Sequence, residues 1–347
     1  MGLEGQLVKL LRPGVDTSIF GRRRVAWTRP PKPARQRARE EDGEADMKPV
    51  TRHLILPASE ARYETPALFA GHSSGLTRWS MIDHTTPGAV HTGFGVSRLD
   101  PGGRVEAHVH SFEESFFMLD GSVIVETPEA TVELVPGDYG MIPVGVPHHW
   151  RNLSGSEASW ADLFAPQPRP WFGDDTFFVA EGSDRRPIRV DPRDPRTRSF
   201  GHIDPGNMDP GRQTQDMLAV SASMRTALLV YSGITVKMMS DTDLGAQLST
   251  MFMVQYEPRG LAGAHDHPLE ETYLILDGEV DAVFDGAEYR LRPGDVAFAG
   301  VGAVHQFSNP TDTTVRWLET QSPAPPPRHS YRFARDWQYL TDRLAEG

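Results

Sequence analysis

The chain has 347 residues, 38 % hydrophobic and 24 % charged, with a formal net charge of −12 and no cysteine. This is an ordinary soluble composition, and at roughly 100–200 residues per domain the length predicts two domains. The lack of cysteine excludes disulfides, thiolate metal sites, iron–sulfur clusters and cysteine nucleophiles.

Residues 1–47 stand apart. Residues 1–39 carry ten Lys or Arg against two Asp or Glu, a balance of +8 that leaves −20 on the rest. The basic stretch runs through Arg22-Arg23-Arg24 and Pro30-Pro31-Lys32-Pro33 into Glu40-Glu41-Asp42. Such a segment cannot bury enough apolar surface to order itself, so it reads as a disordered extension or an over-long start. A transit peptide or nucleic-acid arm is the sharper alternative, and a transit peptide would carry more serine. The acidic body is a poor partner for nucleic acid or anionic membrane, and neither is expected. No run approaches about 18 apolar residues and no secretory signal is visible, which predicts a cytoplasmic protein without a transmembrane helix.

Residues 48–165 read as a β domain. Phe116 to Leu119 runs into Asp120-Gly121, a strong turn signal, and Ser122 to Thr127 follows as the next strand. Pro136-Gly137-Asp138 punctuates a later strand. Residues 166–216 are rich in Pro, Gly, Asp and Arg and predict a linker that wraps over the surface. Residues 217–330 form a second β domain, with Tyr273 to Leu276, Asp277-Gly278, Glu279 to Phe284 and Pro293-Gly294-Asp295 repeating the first pattern. In residues 331–347, Phe333, Trp337, Leu340 and Leu344 fall on one helical stripe and predict a short helix docked on a barrel.

The chain repeats itself. Shifted by 157 residues, 88–168 lie on 245–325 without a gap, with 25 of 81 pairs identical. The identities include His108/His265, His110/His267, Glu114/Glu271, Gly121/Gly278, Gly137/Gly294, His148/His305, Asn152/Asn309 and Trp160/Trp317. Many short strands with Gly and Pro turns predict an all-β chain of two jelly-roll barrels.

The candidate chemistry lies in one constellation found twice. Residues i and i+2 of a strand share a face, so His108 and His110 project together, as do His265 and His267. Glu114 and Glu271 lie beyond a short bend, and His148 and His305 arrive from a neighbouring strand. Three imidazoles and a carboxylate suit Fe, Mn, Ni, Cu, Co or Zn better than Ca or Mg. They leave coordination positions open, as a catalytic site requires. Up to two divalent transition-metal ions per chain are therefore expected. Glu114 and Glu271 are also the candidate catalytic bases.

Other candidates are weaker. His149 and Gln306 follow ligand histidines and should point outside the barrels. Phe116, Met118, Tyr273, Trp160 and Trp317 read as barrel packing. His91 and Gln247 are candidates to reach a pocket, and Asp162 and Glu319 read as surface or rim residues.

The motif resembles that of the cupin superfamily: Gly-x5-His-x-His-x3-Glu-x6-Gly, then Gly-x5-Pro-x-Gly-x2-His-x3-Asn. The first copy supplies His108, His110, Glu114 and Gly121, then Gly137, Pro143, Gly145, His148 and Asn152; its opening glycine, Gly102 or Gly103, fits loosely. The second supplies His265, His267, Glu271, Gly278, Gly294, Gly302, His305 and Asn309, with Gly300 where the pattern has Pro. The resemblance covers about residues 75–168 and 233–325 and implies a bicupin with two metal sites.

Function follows less directly, because this fold serves many reactions. Oxalate decarboxylases place an Arg three residues before the first His, where this chain has Val105 and Ala262. Gentisate-type enzymes use histidines alone. Quercetinase-type dioxygenases resemble this chain in using three His and one Glu. The resemblance therefore implies a metal-dependent dioxygenase acting on a small oxygenated or aromatic compound, with O2 as co-substrate. A hydrolase of the ureidoglycine aminohydrolase type and a non-catalytic small-ligand binder are the alternatives, and homodimerisation stays open.

Overall fold

The computed structural model describes residues 51–182, 185–210, 231–325 and 332–333. Met1–Lys48 is a unit by itself and lies outside the described residues. The rest is one compact unit, Pro49–Gly347. No helix among the described residues is long and apolar enough to cross a membrane.

Two curled sheets dominate, and helix is confined to short 3-10 turns among the described residues. Both sheets have one strand order. In the first it runs Thr131–Leu134, Val123–Glu126, His148–Arg151, Gly93–His110, Ala158–Ala165, Glu113–Asp120, Asp138–Ile142. In the second it runs Ala287–Leu291, Val280–Phe284, His305–Ser308, Thr250–Asp266, Val315–Ser322, Glu270–Asp277, Val296–Ala299. The long strand Gly93–His110 belongs to both halves of its barrel. Gly93–Leu99 pairs with Ala158–Phe164, and beyond a bend Arg104–His108 pairs with His148–Arg151. Thr250–Asp266 does the same in the second copy. This bend curls each sheet into the expected jelly roll.

The hairpin turns after Asp120 and Asp277 require glycine. Gly121 and Gly278 have φ of +70° and +75°, and a Cβ would lie 2.4 Å from the Glu157 carbonyl and 2.6 Å from that of Thr314.

Among the described residues, three apolar cores follow from the alternation of buried side chains. One fills the first barrel around Leu99, Phe116, Trp150 and Trp160, and one fills the second around Tyr273, Phe284, Phe307 and Trp317. The third joins the copies through Ile82, Phe94, Leu163, Met251, Phe298 and Leu318.

Several sheet edges are covered by segments outside the repeat. His53–Leu56 pairs with Val296–Ala299, so a strand lying before the first copy completes the second copy's sheet. Phe200–His202 covers the equivalent edge strand, Asp138–Ile142, in the first sheet. Within 166–216, Thr176–Phe178 pairs with His108–His110 and Ile188–Arg189 pairs with Val132–Glu133. The described part of this linker therefore wraps the first barrel by strand pairing, which also satisfies exposed edge amides. The helix expected over 331–347 lies outside the described residues, except that Arg332–Phe333 pairs as a strand with His265 and Asp266.

Candidate metal centres

The structure brings His108, His110, Glu114 and His148 together in the first copy. All four are buried, with one ligand atom of each lying within 4.8 Å of the others. Strand parity projects His108 and His110 inward from the end of the long strand, Glu114 is the second residue of the next strand, and His148 pairs across from His108. The Nδ1 atoms of His108, His110 and His148 face the carbonyls of Glu106, Phe112 and Val146 at 2.8, 2.6 and 3.0 Å. Nδ1 thus holds the proton and Nε2 turns its lone pair toward the centre, the orientation a metal-binding imidazole needs. Glu114 Oε2 then lies 3.2 Å from His110 Nε2 and 3.1 Å from His148 Nε2. Acceptors converging at this spacing call for a shared cation, so the donor set fits a transition metal. Burial, reinforced by His148, pulls His108 down to about 3. Burial alone would raise Glu114, but the neighbouring His110 and His148 outweigh that and hold it below the carboxylate range. Neutral imidazole and charged carboxylate are the ligating forms.

The second copy repeats the histidines and alters their surroundings. His265, His267 and His305 are buried and converge within 4.8 Å, with Nδ1 2.8, 2.9 and 2.9 Å from the carbonyls of Gly263, Leu269 and Ala303. Burial, then His305, takes His265 down to about 3. Burial would also lower His267, but Glu271 outweighs it and raises that group. Glu271 Oε2 is 2.8 Å from His267 Nε2 and 3.3 Å from His305 Nε2. It is also bound from the side: the Tyr273 hydroxyl donates to Oε2, and Gln321 Nε2 donates to Oε1 at 2.6 Å. Tyr273 additionally sits 3.0 Å from His305 Nε2. The equivalent positions in the first copy are Phe116 and Phe164, which cannot bond a carboxylate.

The first centre opens into a cavity of about 370 Å³. Its wall is mostly apolar and aromatic, with Phe69 and Phe112 against the ligands His108 and His110 and with Phe164 and Trp160 farther along the lining. Phe112 stacks on His110 with ring centroids 3.9 Å apart.

Several sequence expectations need correction. Asp162 is not on the rim: it is buried in the pocket wall, where Arg78 donates to Oδ1 and Ser97 Oγ donates to Oδ2 at 2.6 Å. Glu319 also faces inward and accepts from Trp317 Nε1 at 2.9 Å; burial and then nearby Glu271 push it well above the carboxylate range. The error is one of parity, since both residues lie two beyond an inward-facing Trp. Tyr273 is part of the second centre as well as its packing. His91 and Gln247 sit at the junction of the copies, where their main-chain amides bond Glu270 and Glu113. His149 lies outside the metal group as expected but is buried, with Nε2 3.4 Å from Glu126. Gln306 is half-buried outside the group. Phe116, Met118, Trp160 and Trp317 are fully packed. Arg78 and Gln321 carry no local sequence signal; only cross-strand register brings them in.

Comparison with known proteins agrees with this geometry. The model of the cupin domain matches residues 95–164 and 252–320. Polyketide synthase CurC of Streptomyces cyaneus is 28 % identical over 96 residues, spanning 27 % of this chain and 62 % of CurC. Protein SchB of Streptomyces halstedii is 31 % identical over 96 residues, spanning 27 % of this chain and 70 % of SchB. Among solved structures, the formate complex of Lactobacillus farciminis oxalate decarboxylase aligns with a TM-score of 0.55 at 18 % identity, over 84 % of this chain and 93 % of that one. A mutant of the Bacillus subtilis oxalate decarboxylase OxdC aligns equally, with a TM-score of 0.55 at 16 % identity over 84 % of each chain.

Proposed function

Because this chain belongs to the cupin superfamily as a bicupin, we propose that it is a metal-dependent enzyme, a dioxygenase acting on a small oxygenated or aromatic compound in its first barrel. One observation carries the reading: the His108, His110, Glu114 and His148 group opens into the aromatic-walled cavity. The name of one relative, a polyketide synthase, supports it, since polyketides are skeletons dense in carbonyl and hydroxyl oxygen. Oxalate is not the proposed substrate. The likeness to oxalate decarboxylases is one of fold, and Val105 and Ala262 stand where those enzymes place arginine.

The three imidazoles and Glu114 would hold one of Fe, Mn, Ni, Cu, Co or Zn. A bound ion would supply Lewis acidity and, if redox-active, electrons for O2 chemistry. The chain supplies the rest. Phe112 and the Phe112 carbonyl fix the His110 ring from its face and its Nδ1 edge. Phe69 and Phe164 exclude water and offer flat faces to a ring. Glu114 Oε2, which faces the ligand histidine nitrogens of His110 and His148, is the base that takes the proton from a substrate hydroxyl. In the second copy Glu271 is engaged by Tyr273 and Gln321, so that centre is proposed to hold its ion without turnover.

The test is oxygen uptake by metal-replete protein against catechol, flavonol and diketone panels, alongside His148→Ala. Substrate-dependent uptake lost in His148→Ala and kept in His305→Ala is expected. Product formed at an unchanged rate under strict anaerobiosis would replace this reading with a hydrolase, and tight binding without turnover would make the chain a ligand binder.

A further inference from the structure

The wall of the first cavity carries a buried ion pair that the fold does not need. Arg78 donates from Nε at 2.9 Å and from Nη2 at 2.5 Å to Asp162 Oδ1, and from Nη1 at 2.7 Å to Ser80 Oγ. Its guanidinium lies 4.6 Å over the Phe164 ring. The Arg78 and Asp162 side chains are only 10 % and 1 % exposed, yet both line the cavity. A buried pair of this kind is weak support for stability, since apolar residues of similar size often serve as well. The second barrel demonstrates the point: Val236 pairs with Val254 as Arg78 pairs with Ser97, and that barrel closes in the same topology without the ion pair.

Resting on the reading of the first centre as a substrate site, we propose that Arg78, held by Asp162, is its specificity residue and reads a neutral carbonyl oxygen on an aromatic substrate. Three observations set that chemistry. Guanidinium nitrogens are obligate donors, so the substrate group is an acceptor. Asp162 neutralises the charge, so an anion gains little over a carbonyl. Register sets the distance. Phe164 pairs with Glu114, and Asp162 lies two residues back on the same face, about 7 Å along the strand. One substituted ring spans that gap, with a hydroxyl at the metal and a carbonyl at Arg78. The Phe164 ring under the guanidinium continues the flat surface between them.

The experiment uses the metal-loaded full chain and three probes that share a metal-binding catechol: 4-ethylcatechol, 3,4-dihydroxyacetophenone and 3,4-dihydroxybenzoate. Dissociation constants are measured by calorimetry on wild type, Arg78→Met and the double variant Arg78→Met/Asp162→Leu, the last leaving no unpaired charge. The ketone should bind wild type about tenfold tighter than the ethyl compound, the worth of one hydrogen bond to a charged donor. Both variants should lose that preference while still binding 4-ethylcatechol, which certifies the fold. A ketone preference that is absent in wild type or survives in the variants overturns the proposal. A benzoate bound tighter than the ketone overturns its neutral-acceptor chemistry. Equal binding of all three probes by His108→Ala/His110→Ala overturns instead the metal-site reading beneath it.

Discussion

Glu113 and Glu270 hold the two copies together by the same contact made in opposite directions. Glu270 accepts from the amides of Val90, His91 and Thr92 at 2.7, 3.1 and 3.0 Å. Glu113 accepts from the amides of Gln247 and Leu248 at 2.7 and 2.9 Å. Val90 and Gln247 are equivalent under the 157-residue repeat, as are the two glutamates. Each glutamate directly precedes the carboxylate of its own metal centre.

The first prediction follows from that exchange. Glu270→Ala leaves three backbone donors without their carboxylate in a buried junction. Loss of charge-assisted bonds and exposure of buried amides should lower unfolding free energy by about 3 kcal/mol. Glu270→Gln keeps the shape and one acceptor and should cost about half of that. Urea unfolding of the metal-free protein at neutral pH is the measurement, and a Glu270→Ala loss under about 0.5 kcal/mol would show that the junction rests on its apolar core alone.

The second concerns metal content. His108→Ala/His110→Ala and His265→Ala/His267→Ala each remove two imidazoles from one centre and leave the other intact. Each should lower bound transition metal by one ion per chain after reconstitution, measured by mass spectrometry. If either double variant retained the wild-type content, the corresponding centre would not be a metal site.

Legibility of the site follows the range of the interaction that builds it. His108, His110 and Glu114 are neighbours in sequence, so strand parity alone shows their common face, and the internal repeat shows the same for His265, His267 and Glu271. Parity also places Asp162 inward, two residues beyond Trp160, and Tyr273 beside Glu271. A rim position for Asp162 conflicts with the pleat, whereas Tyr273 is packed as expected and adds its hydroxyl to the centre. Arg78, Gln321 and the Glu113/Glu270 exchange are a different case. They depend on which strands pair and on how the copies meet, and no spacing within one segment encodes that. The added edge strand His53–Leu56 is equally non-local, since its partner lies some 240 residues away.

A third prediction exchanges the surroundings of the two carboxylates. Tyr273→Phe removes the hydroxyl that bonds Glu271 and gives the second centre the first copy's residue type. Glu271 should then turn more fully to the metal, raising affinity there about tenfold, the worth of one hydrogen bond. Phe116→Tyr should weaken the first centre in the same measure. Competition with a chromophoric chelator reads both, on variants in which the other centre has lost its histidine pair. Unchanged affinity in both would mean that the carboxylate is not limited by this hydroxyl.

The last prediction concerns pH and the linker. His202 Nδ1 lies 2.8 Å from Asp138 Oδ1, and its Nε2 lies 3.2 Å from Asp204, fastening the Phe200–His202 strand to the first sheet. Burial would lower the imidazole, but the two aspartates outweigh it and raise it above 6.5. A group raised in the folded state stabilises fully below its unfolded value of about 6.5. That contribution fades as pH climbs through the folded value. The ring is 40 % exposed, so solvent screening holds the effect to about 0.5 kcal/mol. The stability difference between wild type and His202→Gln should therefore be largest near pH 6 and shrink toward pH 8.5, in urea unfolding at matched ionic strength. A difference that grew with pH would reverse the sign of the linkage and show that His202 serves this edge as a neutral ring.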